Sequence, residues 1–318
     1  MQPHFISVYS DIGAGKHGTT HGVQMIADRT KARFANASFC SIVADYQKQT
    51  PLHPAAKHIE NLLPFFTEKL VPQLSQELQT AEQNGHFPVI ISGDHSNAMG
   101  NLAAFRNHHK DAKVGVVWID AHADLHSIFT TPSGNMHGMP LAASLDLDNK
   151  QCQQANPDDI AQQKWQQLKN LAVAKNFSTE NLYFLGLRSY ESPEESLLNE
   201  HQIFAYSAKG DNILNTAQNL PLDEILSMLL AQLQGLDAVY ISFDIDALDA
   251  AFVPATGTPE PQGYTPDEIR QIFNALFTLP NIKLFEITEF NPTLDDDRQK
   301  HQTIFDLFDD VLTLIEQR

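Results

Sequence analysis

Aspartates and histidines follow directly on apolar runs at two points of this 318-residue chain, and their spacing defines the chemistry it can carry. One set is Asp120, His122 and Asp124, behind Val114–Ile119; the other is Asp244 and Asp246, behind residues 238–243. Runs so rich in β-branched and aromatic residues read as strands buried on both faces. Alternate residues of an extended chain share a face, so each set is expected to converge at the end of its own strand. Open parallel sheets bind ligands at that edge. Carboxylates crowded beside imidazoles repel one another unless a cation joins them, which makes the cluster a candidate metal site. The alternative is a set of solvated strand-end caps.

Ser92-Gly93-Asp94-His95-Ser96 follows the apolar run 87–91, so His95 is expected at the same edge with Asp94 orienting its ring. The set then holds four aspartates and two histidines. Four carboxylate charges balance two divalent cations, whereas one cation would leave the site strongly anionic. A two-metal centre with a bridging aspartate follows, and oxygen-rich ligation without thiolate suits Mn²⁺ better than a structural zinc. Asp249 is read as support for the loop after Asp246. The loop 130–138 brings small hydrogen-bonding residues and His137 near the metals, although its Pro and Gly alone would explain a polar turn. Glu289 ends a further strand and adds a carboxylate to the edge, with a salt-bridged acid as its alternative.

These side chains need a sheet to position them. Apolar runs recur at 5–9, 87–91, 114–119, 182–187, 238–243 and 282–287. Between them lie helical spacings. Leu62, Phe66, Leu70, Leu74 and Leu78 mark one face, which Pro72 should kink or interrupt. Ile225, Met228, Leu229 and Leu233 mark another, Pro266-Asp267-Glu268 opens a third, and Ile304, Leu307, Phe308, Val311, Leu312 and Ile315 mark the last. Strand alternating with helix means a three-layer αβα fold with a central, mostly parallel sheet, read as one domain over 1–318. The Gln-, Asn- and Asp-rich segment 146–167 is read as a surface insertion with a short helix. Gly13-Ala14-Gly15-Lys16-His17-Gly18 fits a dinucleotide-binding loop, but no acidic residue closes a second strand at the required distance, so a glycine-rich turn is the preferred reading. His17 and His21 are read as a surface pair on one helix face.

The formal net charge of −18 argues against nucleic acid or an anionic membrane as partner and favours a small cationic substrate, with simple solubilisation as the alternative account of the charge. Cys40 and Cys152 are too few for a disulfide framework, which points to a reducing, cytoplasmic setting. The first residues lack the pattern of a secretory signal, and no apolar run approaches a membrane span.

Together the segments resemble the ureohydrolases: arginases, agmatinases, formimidoylglutamases and related guanidino hydrolases. The resemblance is carried by 93–96, by Asp120-Ala121-His122-Ala123-Asp124, by 242–249 continuing to 254–259, and by Glu289-Phe290-Asn291-Pro292. It implies the αβα fold, a pair of Mn²⁺ ions and a trimer or hexamer. His95, Asp120, Asp124 and Asp244 would hold one metal; Asp120, His122, Asp244 and Asp246 the other. Ser133-Gly134-Asn135-Met136-His137-Gly138-Met139-Pro140 is most similar to the arginase segment, which implies L-arginine as substrate. Agmatine, another guanidino acid or formimidoylglutamate remain as alternatives. The resemblance implies that Ser133, Asn135 and Thr258 contact substrate. Glu289 would hold the guanidinium, His137 would relay a proton, and Asp124 and Asp246 would attend the nucleophile. His126 stands where arginases usually have Asn, and Glu191 where they have Asp. Ser92, Ala250 and Gln262 replace a usual Gly, Pro and Gly.

Overall fold

The structure is a computed structural model that describes residues 1–46, 50–215 and 217–318. Its strands are β1 (Gln2–Tyr9), β2 (Ser38–Val43), β3 (His86–Ser92), β4 (Val114–Ile119), β5 (Leu182–Leu185), β6 (Phe204–Tyr206), β7 (Ala238–Asp244) and β8 (Ile282–Thr288). They form one sheet in the order β2-β1-β3-β8-β7-β4-β5-β6, every pairing parallel. The helices are α1 (Thr19–Arg33), α2 (Ile59–Pro64), α3 (Val71–Asn84), α4 (Ala98–His108), α5 (Pro140–Leu145), α6 (Asp159–Lys169), α7 (Ser192–Glu200), α8 (Leu222–Leu233), α9 (Pro266–Leu276) and α10 (Arg298–Glu316).

The period of two along each strand splits the core into two apolar layers. Val114, Val116 and Trp118 of β4 join the layer under α2 to α7, while Val117 and Ile119 join the layer under α1, α8, α9 and α10. The three-layer αβα reading is therefore correct. Four adjacent strands, β3, β8, β7 and β4, carry the candidate chemistry at their carboxyl ends.

Several local expectations need correction. β2 and β6 were not legible: β2 is a half-buried edge strand interrupted by serines, and β6 spans only Phe204–Tyr206. The run 182–187 leaves the sheet after Leu185, where Gly186 turns at φ 94°. Pro72 does not break its helix. The ladder is instead re-spaced by a π-helical turn at Phe65–Leu70, and Pro72 falls in the first turn of α3, where its missing N–H costs least. His17 precedes α1, stacks on Tyr46 and faces Asp11, so it shares no helix face with His21.

The segment 146–167 is also more than a surface insertion. Asp158 caps α6 by accepting from the Ile160 and Ala161 N–H groups, and the helix continues to Lys169. Trp165 is buried in the core and donates to Asp148, which also receives Lys169. The Ser127 hydroxyl donates to the Asp148 carbonyl, and the Gln154 and Ala155 N–H groups donate to the Phe129 carbonyl. The segment therefore buttresses the loop after Asp124.

Candidate metal centre and active site

One local device repeats at three strand ends. Asp94, Asp120 and Asp244 each accept the backbone N–H two residues on, from Ser96 (2.9 Å), His122 (2.7 Å) and Asp246 (2.8 Å). Such turns curl the chain as soon as it leaves the sheet. Asp120, His122 and Asp124 therefore do not converge as alternate residues of an extended strand. The chain bends at once, with Asp124 at φ 51°, and the Arg188 and Ser189 N–H groups hold it through the Ala121 carbonyl.

The result brings all six sequence-predicted ligand residues together. His95 Nδ1 lies 3.1 Å from Asp120 Oδ2, 3.1 Å from Asp124 Oδ2 and 3.2 Å from Asp244 Oδ2. His122 Nδ1 lies 3.1 Å from Asp246 Oδ2 and 3.5 Å from Asp120 Oδ1. His95–Asp120–Asp244 and Asp120–His122–Asp246 each form a group able to hold a cation, and Asp120 turns one oxygen to each. Buried His95 Nδ1 and Asp120 Oδ2 have no hydrogen-bond partner among the described residues. Such orphaned donor atoms in a buried, carboxylate-rich site fit a metal.

The electrostatics agree. Burial, with Asp246 and Asp120 alongside, pushes Asp244 well above the ordinary carboxylate range, and burial pushes Asp246 up to about 6. Burial also opposes ionisation of Asp120, yet the adjacent His122 and His95 rings hold it low. Charges so crowded call for a cation.

Asp94 does not orient the His95 ring, because its carboxylate is taken by the Ser96 and Gly13 N–H groups. Ser242 fills that role at 2.8 Å from His95 Nε2, and its hydroxyl donates to Glu286 (3.2 Å). Glu286 also accepts from Asn101 (2.7 Å) and from Tyr240. Trp118 stacks on the ring with centroids 4.0 Å apart. Ser242 and Glu286 are paired in register on β7 and β8, and the signal for them was a polar residue deep inside each largely apolar run.

A cavity of about 270 Å³ opens over the cluster. Ser133, Asn135, His137, His126, Glu191 and Thr258 all line it. Thr258 Oγ1 donates to Asp246 (3.3 Å). His126 Nε2 meets Glu191 Oε2 at 2.7 Å, with Glu194 Oε2 at 3.4 Å. The His126 hydrogen bond holds Glu191 down to about 2; burial pushes Glu194 up to about 8, and its oxygens accept from the Leu125 and Glu191 N–H groups. Burial lowers the affinity of His137 for a proton, but Glu289 at 3.6 Å outweighs it and raises the ring's pKa. Glu289 lies outside the cavity lining. It is buried at φ 65°, with Oε1 accepting from the His95 N–H at 2.8 Å. Asp249 stays off the site, capping the following turn through the Ala251 N–H. Gln262, at φ 62°, occupies a left-handed turn that a glycine would take without strain.

The glycine-rich loop closes over this site. Gly13 packs on Asp94 and Ser96, the His137 N–H donates to the Gly13 carbonyl, and a Cβ on Gly15 would lie 2.6 Å from Asn135 Nδ2.

Paired His–Asp clusters at the carboxyl edge of a parallel αβα sheet define a metallohydrolase build. The chain belongs to the arginase family, whose model matches residues 2–312, and is thereby a hydrolase acting on guanidino or amidine bonds of small molecules. The arginase of Bacillus subtilis is 30% identical over 241 residues, covering 76% of this chain and 73% of its own. Helicobacter pylori arginase superposes with a TM-score of 0.79 at 25% identity over 98% of this chain and 99% of its own. The arginase of Entamoeba histolytica, solved with L-ornithine, has the same fold at TM-score 0.80, with 21% identity over 98% and 99% of the two chains. No described helix is long and apolar enough to cross a membrane.

Proposed function

We propose that this protein hydrolyses L-arginine to L-ornithine and urea with two Mn²⁺ ions held by His95, Asp120, Asp124 and Asp244 on one side and Asp120, His122, Asp244 and Asp246 on the other. The observation that carries the reading is that Ser133, Asn135 and His137 line the same cavity as the His–Asp cluster. The pair of cations would supply Lewis acidity and a nucleophile at neutral pH from water, whose own pKa is otherwise far too high.

The chain's own groups do the rest. Glu289 has Oε1 committed to the His95 N–H, which leaves Oε2 to take a charge-assisted hydrogen bond from the guanidinium and fix its carbon over the cluster. Of Asp124 and Asp246, one would receive the remaining proton of the attacking water while the other hydrogen-bonds its oxygen-bound hydrogen before transfer. His137, held toward its protonated form by Glu289, delivers a proton to the departing amine. Ser133 and Asn135 bind the amino-acid head, and Thr258 holds Asp246 in place while facing the substrate.

Urea release from L-arginine, agmatine and 4-guanidinobutyrate after manganese loading tests this, with formamide release from formimidoylglutamate as a further arm. L-arginine is expected to be fastest; a faster agmatine or formimidoylglutamate reaction overturns the substrate. One observation favours a second reading. His126 occupies the Glu191 carboxylate that would otherwise meet an α-amino group, which favours a guanidino acid lacking that group. We extend the proposal to a single-domain protein acting in the cytoplasm as a trimer or hexamer, which sedimentation of the manganese-loaded protein checks.

A further inference from the structure

The rim of the cavity contains one hydrogen bond that the reading above leaves unused. Lys57 Nζ donates to Asn135 Oδ1 at 3.0 Å, and the Lys57 N–H donates to the Gly134 carbonyl at 2.8 Å. The lysine is thus docked on the substrate loop by backbone and side chain together. The fit is close. Gly134 sits at φ 76°, and a Cβ there would lie 1.8 Å from the Pro54 carbonyl oxygen. His53, on the same segment, reaches Asp158 at 2.7 Å, so the segment is tied at a second point to the N-terminus of α6.

Lysine has three donors and no acceptor, so its contact decides which end of the Asn135 amide faces it. Oδ1 must turn to Lys57, and the N–H₂ end turns away, beside Gly15. Among the described residues no group accepts from Asn135 Nδ2. The Ser133 hydroxyl oxygen accepts from the Asn135 N–H, which leaves its own O–H to donate outward. Asn135 and Ser133 therefore present donors to the cavity backed by an ammonium, whereas Glu191 and Glu194, both in contact with His126, line the same cavity with acceptors.

We infer that Lys57 is a specificity-determining positioning residue: by holding Asn135 Oδ1 it presents the amide N–H₂ and its own positive charge to a substrate carboxylate, selecting guanidino acids over decarboxylated guanidino amines. This deepens the hydrolase reading and rests on it for the location of the site. Lys57 acts through Asn135 and touches no reacting atom, so its loss moves affinity and leaves turnover alone.

The test compares wild type with Lys57→Met, Lys57→Gln and Lys57→Arg, all manganese-loaded. Lys57→Met is expected to raise KM for L-arginine about tenfold with kcat within about twofold, the loss of one charge-assisted contact. The kcat/KM for agmatine should be unchanged. Lys57→Arg should restore the arginine preference, while Lys57→Gln, which still donates to Asn135 without charge, should restore only part of it. Calorimetric binding of L-ornithine and of putrescine gives a readout independent of turnover, and Lys57→Met should weaken ornithine alone. If wild type releases no urea yet the ornithine preference depends on Lys57, the arginase reading fails and the inference stands. If Lys57→Met leaves both the arginine-to-agmatine and ornithine-to-putrescine ratios unchanged, the inference is overturned even in an active arginase.

Discussion

The His–Asp cluster and the cavity rim are neighbours assembled by different means. In the cluster, each side chain lies within a few residues of the end of β3, β4 or β7, and the same aspartate turn places it. The rim draws Lys57, His126, Ser133, Asn135 and Glu191 from separate loops and a helix N-terminus, tied by side-chain hydrogen bonds. The strand ends are anchored by sheet pairing and buried packing. The rim is anchored by contacts that one substitution can release. Chemistry common to a family is thus carried by the stiff region and discrimination between substrates by the adaptable one, as expected of loops on a rigid scaffold.

The sharpest way to break this contrast is to remove a residue shared by both metal positions. Asp120→Ala or Asp244→Ala should lose most of the manganese measured by elemental analysis, and urea release should fall to background. His122→Ala should empty chiefly one position. Two tightly held metals in Asp120→Ala would disprove the bridging assignment.

Glu289→Gln keeps an acceptor for the His95 N–H but removes the charge. Turnover should fall by about 10- to 150-fold, the equivalent of about 1.5–3 kcal/mol, at near-normal metal content. Unchanged kinetics would make Glu289 a structural acid at the end of β8.

Ser242→Ala sharpens the comparison from behind the cluster. Freeing the His95 ring should weaken metal affinity by about 10- to 100-fold, with activity recovered at high manganese. A variant with wild-type affinity would show that Trp118 stacking alone orients the ring.

At the rim, effects should be smaller. His126→Asn frees the Glu191 carboxylate, so kcat/KM for L-arginine should rise several-fold relative to 4-guanidinobutyrate. An unchanged ratio would leave Glu191 without a role in head-group recognition. Asp158→Ala removes a helix cap and the His53 contact together, and thermal unfolding should show a loss of about 1 kcal/mol. A modest rise in arginine KM should accompany it, because α6 and the segment around Lys57 are both loosened.

What was legible in the sequence follows from range. Apolar runs ending in aspartate and histidine identified β3, β4 and β7, the parallel layered fold and six candidate ligands, because strand burial and the turn after a strand are local properties. Half-buried edge strands broken by serine, such as β2 with Ser38 and Ser41, gave too weak a pattern. Asp94 was assigned to the His95 ring because it is adjacent in sequence, but adjacency along a turn sends its carboxylate to backbone N–H groups. Only sheet order could reveal Ser242 and Glu286 as the ring's partners, since they stand 147 and 191 residues from His95 and meet it through β7 and β8. The same holds for Lys57 against Asn135 and His126 against Glu191. Sequence by itself determined which residue types gather at the carboxyl edge; tertiary structure decided which atoms face one another, because those pairings depend on strand register and loop closure over distances that no local pattern encodes.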